Sequence, residues 1–196
     1  MTDPRFEQAL RAFQAVSAGD PEHVNDGRPR ELAQAERLAA WIVRLEPHAS
    51  EALRLAAHCQ HLGRYLVPRS TYPEGRIGYL KWRSDLAKGH AQRSAEILAK
   101  AGYDQNTIDA VQRINLKQQM RLHPDVQTME DALCLTFLEH EFAEFADKHD
   151  DQKLIEILAK TWRKMSPRAR EAALGLPLAG RPAELVARAL AAPEAP

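Results

Sequence analysis

Apolar residues recur at three- and four-residue spacing along most of the chain, with few β-branched runs and almost no strict alternation, and this pattern predicts an all-α protein. Phe6, Leu10, Phe13 and Val16 lie about one turn apart and predict a first helix over Pro4–Ser17. The turn-rich segment GDPEHVNDGRP separates it from a second helix near Pro29–Leu45, whose inward stripe is Glu31, Ala35, Leu38, Ile42 and Leu45. Glu46-Pro47 ends that helix, because the residue before proline resists the α conformation. Ser50 suits the N-cap of a third helix near Glu51–Tyr65, which is apolar on several sides and is expected to be the central element.

The loop LVPRSTYPEGRIG follows, then a long helix from about Tyr79 to Ala101, closed by Gly102 in the left-handed position past a helix end. Asp104 caps the next helix, expected to run to about Gln119. A helix near Met129–Phe145 carries Asp131, Cys134, Leu135, Leu138, Phe142 and Phe145 on one stripe, and Asp150 or Asp151 caps another through Met165. Ser166-Pro167 and Arg181-Pro182 open two short terminal helices, and the tail AAPEAP is low in complexity.

Composition narrows the function classes. The chain has 196 residues, with 27 Lys and Arg against 27 Asp and Glu, and this zero balance lacks the basic excess expected of a nucleic-acid-binding module. Hydrophobic residues at 44% and charged residues at 28% are ordinary for a folded domain. No segment reaches the roughly 18 consecutive apolar residues of a membrane span, and MTDPRFEQAL lacks a basic run followed by an apolar one, so the expected location is the cytosol. Cys59 and Cys134 form no CxxC pair and read as buried free thiols.

Four polar residues stand where periodicity points inward. Glu31 shares the stripe of Ala35 and Leu38, His61 follows Ala57 by one turn, His90 falls between Leu86 and Ile97, and Asp131 precedes Cys134 and Leu135. A buried carboxylate or imidazole costs several kcal/mol unless it is paired or bound to a metal, so the quartet suggests one shared cation. Two imidazoles and two carboxylates suit Zn, Mn, Fe or Co better than Ca or Mg. The same residues also read as hydrogen-bonded core groups, or, for Asp131, as a first-turn carboxylate facing the helix dipole.

Residues 31–145 resemble a divergent HD domain, the helical metal-dependent phosphohydrolase superfamily. Ala57-His58-Cys59-Gln60-His61-Leu62-Gly63-Arg64 is similar to its apolar-HDIGR phrase, with Gln60 in place of the His and His61 in place of the Asp. Lys88-Gly89-His90-Ala91 resembles its later helix, Asp131 its last Asp, and Glu31 stands where its first His would be. The resemblance implies a single-domain HD-like helical bundle over 29–165, with an N-terminal helix and loop (1–28) and a C-terminal helical extension with a flexible tail (166–196). It also implies a metal held by Glu31, His61, His90 and Asp131, with His58 and Gln60 behind them. His58 is open to three readings, as ligand, supporting partner or packed core group. The phrases Pro68-Arg69-Ser70-Thr71-Tyr72-Pro73, Arg76-Ile77-Gly78-Tyr79-Leu80-Lys81-Trp82-Arg83 and Lys160-Thr161-Trp162-Arg163-Lys164-Met165-Ser166 resemble an uncharacterised domain-of-unknown-function family.

The loop after the third helix gathers Arg64, Arg69, Arg76, Lys81 and Arg83 among Tyr72, Tyr79 and Trp82. Arginine forks bind phosphate or carboxylate bidentately, so this segment is either an anion clamp or an ordinary charged loop whose cations cap helices and pair with acids. The acidic stretch from Glu139 to Asp151 reads as a solvated face, since Phe142 and Phe145 take its inward stripe. What the resemblance and the clamp imply is a metal-dependent hydrolase acting on a small anionic molecule, a phosphorylated metabolite or nucleotide, with no nucleic-acid or membrane partner. A non-catalytic HD-like protein that binds an anion or docks a partner is the first alternative, and an iron-dependent oxygenase the second.

Overall fold

Helix-start signals in the sequence are realised as side-chain caps. Asp3 accepts from the Arg5 amide, Ser50 from Leu53, Asp104 from Thr107, Asp150 from Lys153 and Ser166 from Ala169, each satisfying an amide that a first helical turn leaves unpaired. The computed structural model describes residues 3–120 and 122–191. Among the described residues there are ten α-helices and no strand, so the protein is all-α. Residues 192–196, most of the tail expected to be flexible, lie outside the described residues. No described helix is long and apolar enough to cross a membrane.

The chain divides into two compact units, Met1–Met129 and Glu130–Pro196. The first contains α1 (Pro4–Ser17), α2 (Arg30–Leu45), α3 (Glu51–Cys59), 3-10 turns at Arg64–Leu66 and Arg69–Thr71, α4 (Gly75–Lys100) and α5 (Gln105–Asn115). As the pattern predicts, α3 is central: α1, α2 and α5 all pack on it, and Leu53, Leu55, Ala56, Ala57 and Cys59 are buried. Both cysteines are buried free thiols.

The division falls inside α6 (Pro124–His140). The buried series Val126, Met129, Ala132, Leu135 continues through it at three-residue spacing, so periodicity carries no mark of a boundary there. The second unit continues with α7 (Phe142–Ala146), α8 (Asp151–Lys164), α9 (Pro167–Leu174) and α10 (Arg181–Ala191), where α10 packs on α8 and α7. Leu135, Phe142, Leu154 and Leu185 form its core.

Several helix ends differ from the predicted ones: α5 ends at Asn115 instead of about Gln119, α6 ends at His140 with Phe145 in the separate α7, and three further ends differ for a local reason. α3 stops at Cys59 instead of Tyr65, because Gly63 takes a left-handed φ of 71° and turns the chain out of the helix. α4 begins at Gly75 instead of Tyr79. The Pro73 carbonyl crosses its first turn so closely that a Cβ on Gly78 would lie 1.9 Å from that oxygen, so only glycine fits. α6 begins at Pro124 instead of Met129, with proline's fixed φ suiting a first helical turn. Asp131 is therefore in the helix interior and completely buried, so it is not a first-turn carboxylate serving the dipole.

Candidate functional site

The first unit brings together the turn after α3, the middle of α4 and the end of α5. Glu31, in the first turn of α2, sets this arrangement. Its Oε1 accepts from Ser17 Oγ at 3.0 Å and from the Gly63 amide at 2.6 Å, and its Oε2 accepts from the Arg64 amide at 2.9 Å. Its own amide donates to Asp20 at 3.0 Å. Glu31 is only 3% exposed, and burial raises its carboxyl pKa despite the opposing donors Gly63, Ser17 and Arg64. The carboxylate therefore acts as a clamp on the 63–64 backbone.

That clamp positions Leu62 and His61. The Leu62 carbonyl accepts two donors from α4, His90 Nδ1 at 2.8 Å and Arg93 Nη1 at 2.7 Å. A carbonyl can only accept, so Nδ1 carries the proton of the His90 ring. His90 is 4% exposed, and its Nε2 is buried without a protein partner. Burial, with Arg64 and Arg93 nearby, pulls its pKa down to about 4 against the raising effect of the Leu62 bond. His61 lies edge-on to it, with ring centroids 6.2 Å apart and planes at 83°. Burial takes His61 to about 3, helped by His90, Arg64, Lys117 and Arg83. Both rings are thus neutral at physiological pH.

Arg64, Arg83 and Lys117, whose charges lower the His61 pKa, lie on or just past three elements. Arg64, on the 3-10 turn, lies 4.7 Å above the Trp82 ring, whose indole N–H donates to the Val67 carbonyl at 2.9 Å. Arg83 lies over Tyr79 on α4. Lys117, just past α5, has a left-handed φ of 55°, uncommon for a residue with a side chain. Nearby, Gln60 Nε2 donates to the Asn115 carbonyl at 3.3 Å, while Gln60 Oε1 and Asn115 Oδ1 are buried without partners.

Other candidates are placed differently. Arg69 donates to the carbonyls of Tyr72 and Pro73 at 2.9 and 2.8 Å and so closes its own loop. Lys81 pairs with Asp85 at 2.7 Å, which also receives the Tyr72 hydroxyl. Arg76 is exposed in the first turn of α4. His58 is half-buried on α3, with its pKa lowered to about 4 by burial and by Arg54. Arg93 and Lys117 are site residues that the sequence pattern does not single out; the available sign was a cation one turn past His90 and another just after a helix end.

Of the four expected metal ligands, Glu31 and Asp131 have protein donors. The Glu31 oxygens are occupied by three donors. Asp131 belongs to the second unit, where Oδ1 accepts the Ser166 amide at 2.8 Å and Oδ2 its hydroxyl at 2.5 Å. Among the described residues, no group of three or more His, Cys, Asp and Glu side chains is arranged to hold a metal ion.

A family described as a domain of unknown function matches residues 7–186. No curated protein and no solved structure matches the chain.

Proposed function

The chain belongs to the DUF4202 family, a domain of unknown function, and from that premise we propose that its first unit is a binding site for a small oxyanion, with the His61–His90 pair as its floor. The observation that carries this reading is that His90 and Arg93 share the Leu62 carbonyl, two residues before Arg64; the electrostatic influence of Arg64, Arg83 and Lys117 on the rings supports it. A guanidinium fork pairs with two oxygens of a phosphate or carboxylate, and such bonds gain strength where water is partly excluded. An arrangement of cations around two neutral imidazoles stabilises an incoming negative charge and disfavours an incoming metal cation. Binding is therefore better supported than metal-dependent hydrolysis or iron-dependent oxidation, both of which need a ligand set that Glu31 and Asp131 are occupied elsewhere from supplying. The balanced net charge speaks for a small anion and against a polyanion, and free buried thiols suit the cytosol.

Calorimetric titration with inorganic phosphate tests the reading. We expect saturable binding to the intact protein, strongly weakened in the double variant Arg64→Ala, Arg83→Ala. The reading fails if phosphate, sulfate and simple carboxylates all leave the protein unbound and its melting temperature unchanged. It also fails if protein purified without tag or chelator carries stoichiometric Zn, Mn, Fe or Co that is lost in His61→Ala.

A further inference from the structure

Apart from the oxyanion reading, on which it does not depend, we propose that the outer face of α4 between Ile77 and Lys88 is a docking surface for an acidic amphipathic helix of a partner protein, paired with it as a short coiled coil. Ile77 is 85% exposed and Leu80 54%, although both belong to a regular helix. The opposite side of the same turns is fixed. The Pro73 carbonyl lies against Gly78, Trp82 is buried with its indole N–H on the Val67 carbonyl, and the Tyr72 hydroxyl donates to Asp85 at 2.9 Å. The helix is thus held in place before any partner arrives, which lowers the ordering cost of binding.

The outward residues follow a heptad. Ile77, Leu80, Ser84 and Ala87 occupy the a and d positions of a two-heptad seam about 18 Å long. Ala91, the next a position, is buried, and there the seam ends. Its flanking e and g positions are Arg76, Lys81, Arg83 and Lys88, all exposed and all cationic. Arg76 and Lys88 pair with no acid among the described residues. Lys81 holds Asp85 at 2.7 Å in an exposed pair one turn apart, which a partner's carboxylate replaces at little cost. Arg83 meets the hydroxyl and ring of Tyr79, neither of them a charge. Such flanks choose a partner by charge. Two copies of the face would set cation against cation, whereas a helix with apolar a and d positions and glutamates at e and g meets every cation with a carboxylate. A lipid surface fits less well, because the apolar stripe is one residue wide and half of it is Ser84 and Ala87.

The test is fluorescence anisotropy of a labelled synthetic helical peptide, with Ile and Leu at its a and d positions and Glu at e and g, titrated with the full chain. Saturable binding is expected that weakens as salt screens the flanks, and the same peptide with Lys at e and g should not bind. Leu80→Asp should lower the affinity by at least about tenfold, the loss of most of one buried leucine, and leave the melting temperature unchanged because the residue is exposed. Lys88→Glu should lower it as well. The proposal is overturned if the acidic and basic peptides bind alike or neither binds. It is equally overturned if phosphatidylserine vesicles capture the chain through Leu80 while the acidic peptide does not bind, or if the wild-type chain dimerises and Leu80→Asp is monomeric, which would make a second copy the occupant.

Discussion

The Glu31 carboxylate holds the Gly63 amide at 2.6 Å across thirty-two residues of sequence, and through it the turn that presents His61, Leu62 and Arg64. One carboxylate here receives two backbone amides and a serine hydroxyl, so its loss leaves three donors to find new partners in a largely dry place. Glu31→Ala is expected to cost about 2–4 kcal/mol in urea unfolding, since hydrogen bonds to a charged group contribute about 1.5–3 kcal/mol each and part is recovered by water. Gly63→Ala should act on the same turn from the other side. Its left-handed φ disfavours a side chain, and the added Cβ would lie 2.7 Å from Arg93 Nη1. Both variants should weaken phosphate binding more than they weaken stability elsewhere. Unchanged phosphate affinity in a folded Glu31→Ala protein would show that the clamp does not position the site.

Acid should destabilise the fold through its histidines. His58 and His90 titrate in the folded protein at about 4 and His61 at about 3, all lowered from 6.5 chiefly by burial. The unfolded chain therefore takes up protons near 6.5 that the folded chain refuses until about 4. Stability is fully present above 6.5 and falls as the pH drops through that window, by up to about 1.4 kcal/mol per pH unit for each ring. Urea midpoints measured across the window should decline, and His58→Phe should make the decline shallower. A flat profile would mean that the rings are solvated and ordinary.

Arg69 and Arg83 come from one basic segment but differ in role. Arg69 ties the Tyr72 and Pro73 carbonyls, whereas Arg83 acts on His61. Arg83→Ala is expected to lower phosphate affinity by about tenfold, the value of one charge-assisted hydrogen bond. Arg69→Ala should leave affinity unchanged and speed amide hydrogen exchange around residues 69–75. Equal losses of affinity in the two variants would mean that the segment acts only through its total charge.

Local signals account for most of what is legible in the sequence. Capping residues and apolar stripes locate the helices because both act over three or four residues, and α1, with Phe6 and Phe13 buried on one face, runs between the predicted ends. Of the four polar residues read as inward, Glu31, His90 and Asp131 are buried and His61 is only half-buried. The partners of Glu31 and Asp131 were not legible, because Gly63 and Ser166 lie thirty-two and thirty-five residues away and no periodicity links them. The HD-like spacing suggests one shared ion, whereas the protein bonds of these residues join Glu31 and His90 to the 62–64 turn and Asp131 to Ser166. Lys117 escapes for another reason: its place depends on a left-handed residue after α5, a backbone choice that glycine would have announced and lysine does not.

Asp131 separates the two accounts of the inward quartet. Completely buried in α6, it accepts the Ser166 amide and hydroxyl, and the same hydroxyl accepts from the Ala169 amide at 3.4 Å to cap α9. These bonds form a chain in which the carboxylate orients the cap and the cap orients the helix, with Pro167 opening the first turn. Removing the acid should therefore act on stability alone. Asp131→Ala is expected to cost about 3 kcal/mol, from two bonds to a charged acceptor, and Asp131→Asn about half of that, since one acceptor oxygen remains. Neither should alter phosphate affinity, because the proposed oxyanion site draws on residues of the first unit. A metal ligand would behave oppositely: Asp131→Asn would disturb the cap only mildly but remove bound metal and whatever activity the metal supports. Unfolding curves, elemental content and phosphate titration on this one conservative variant therefore give a different pattern for each role, and the structure predicts the first.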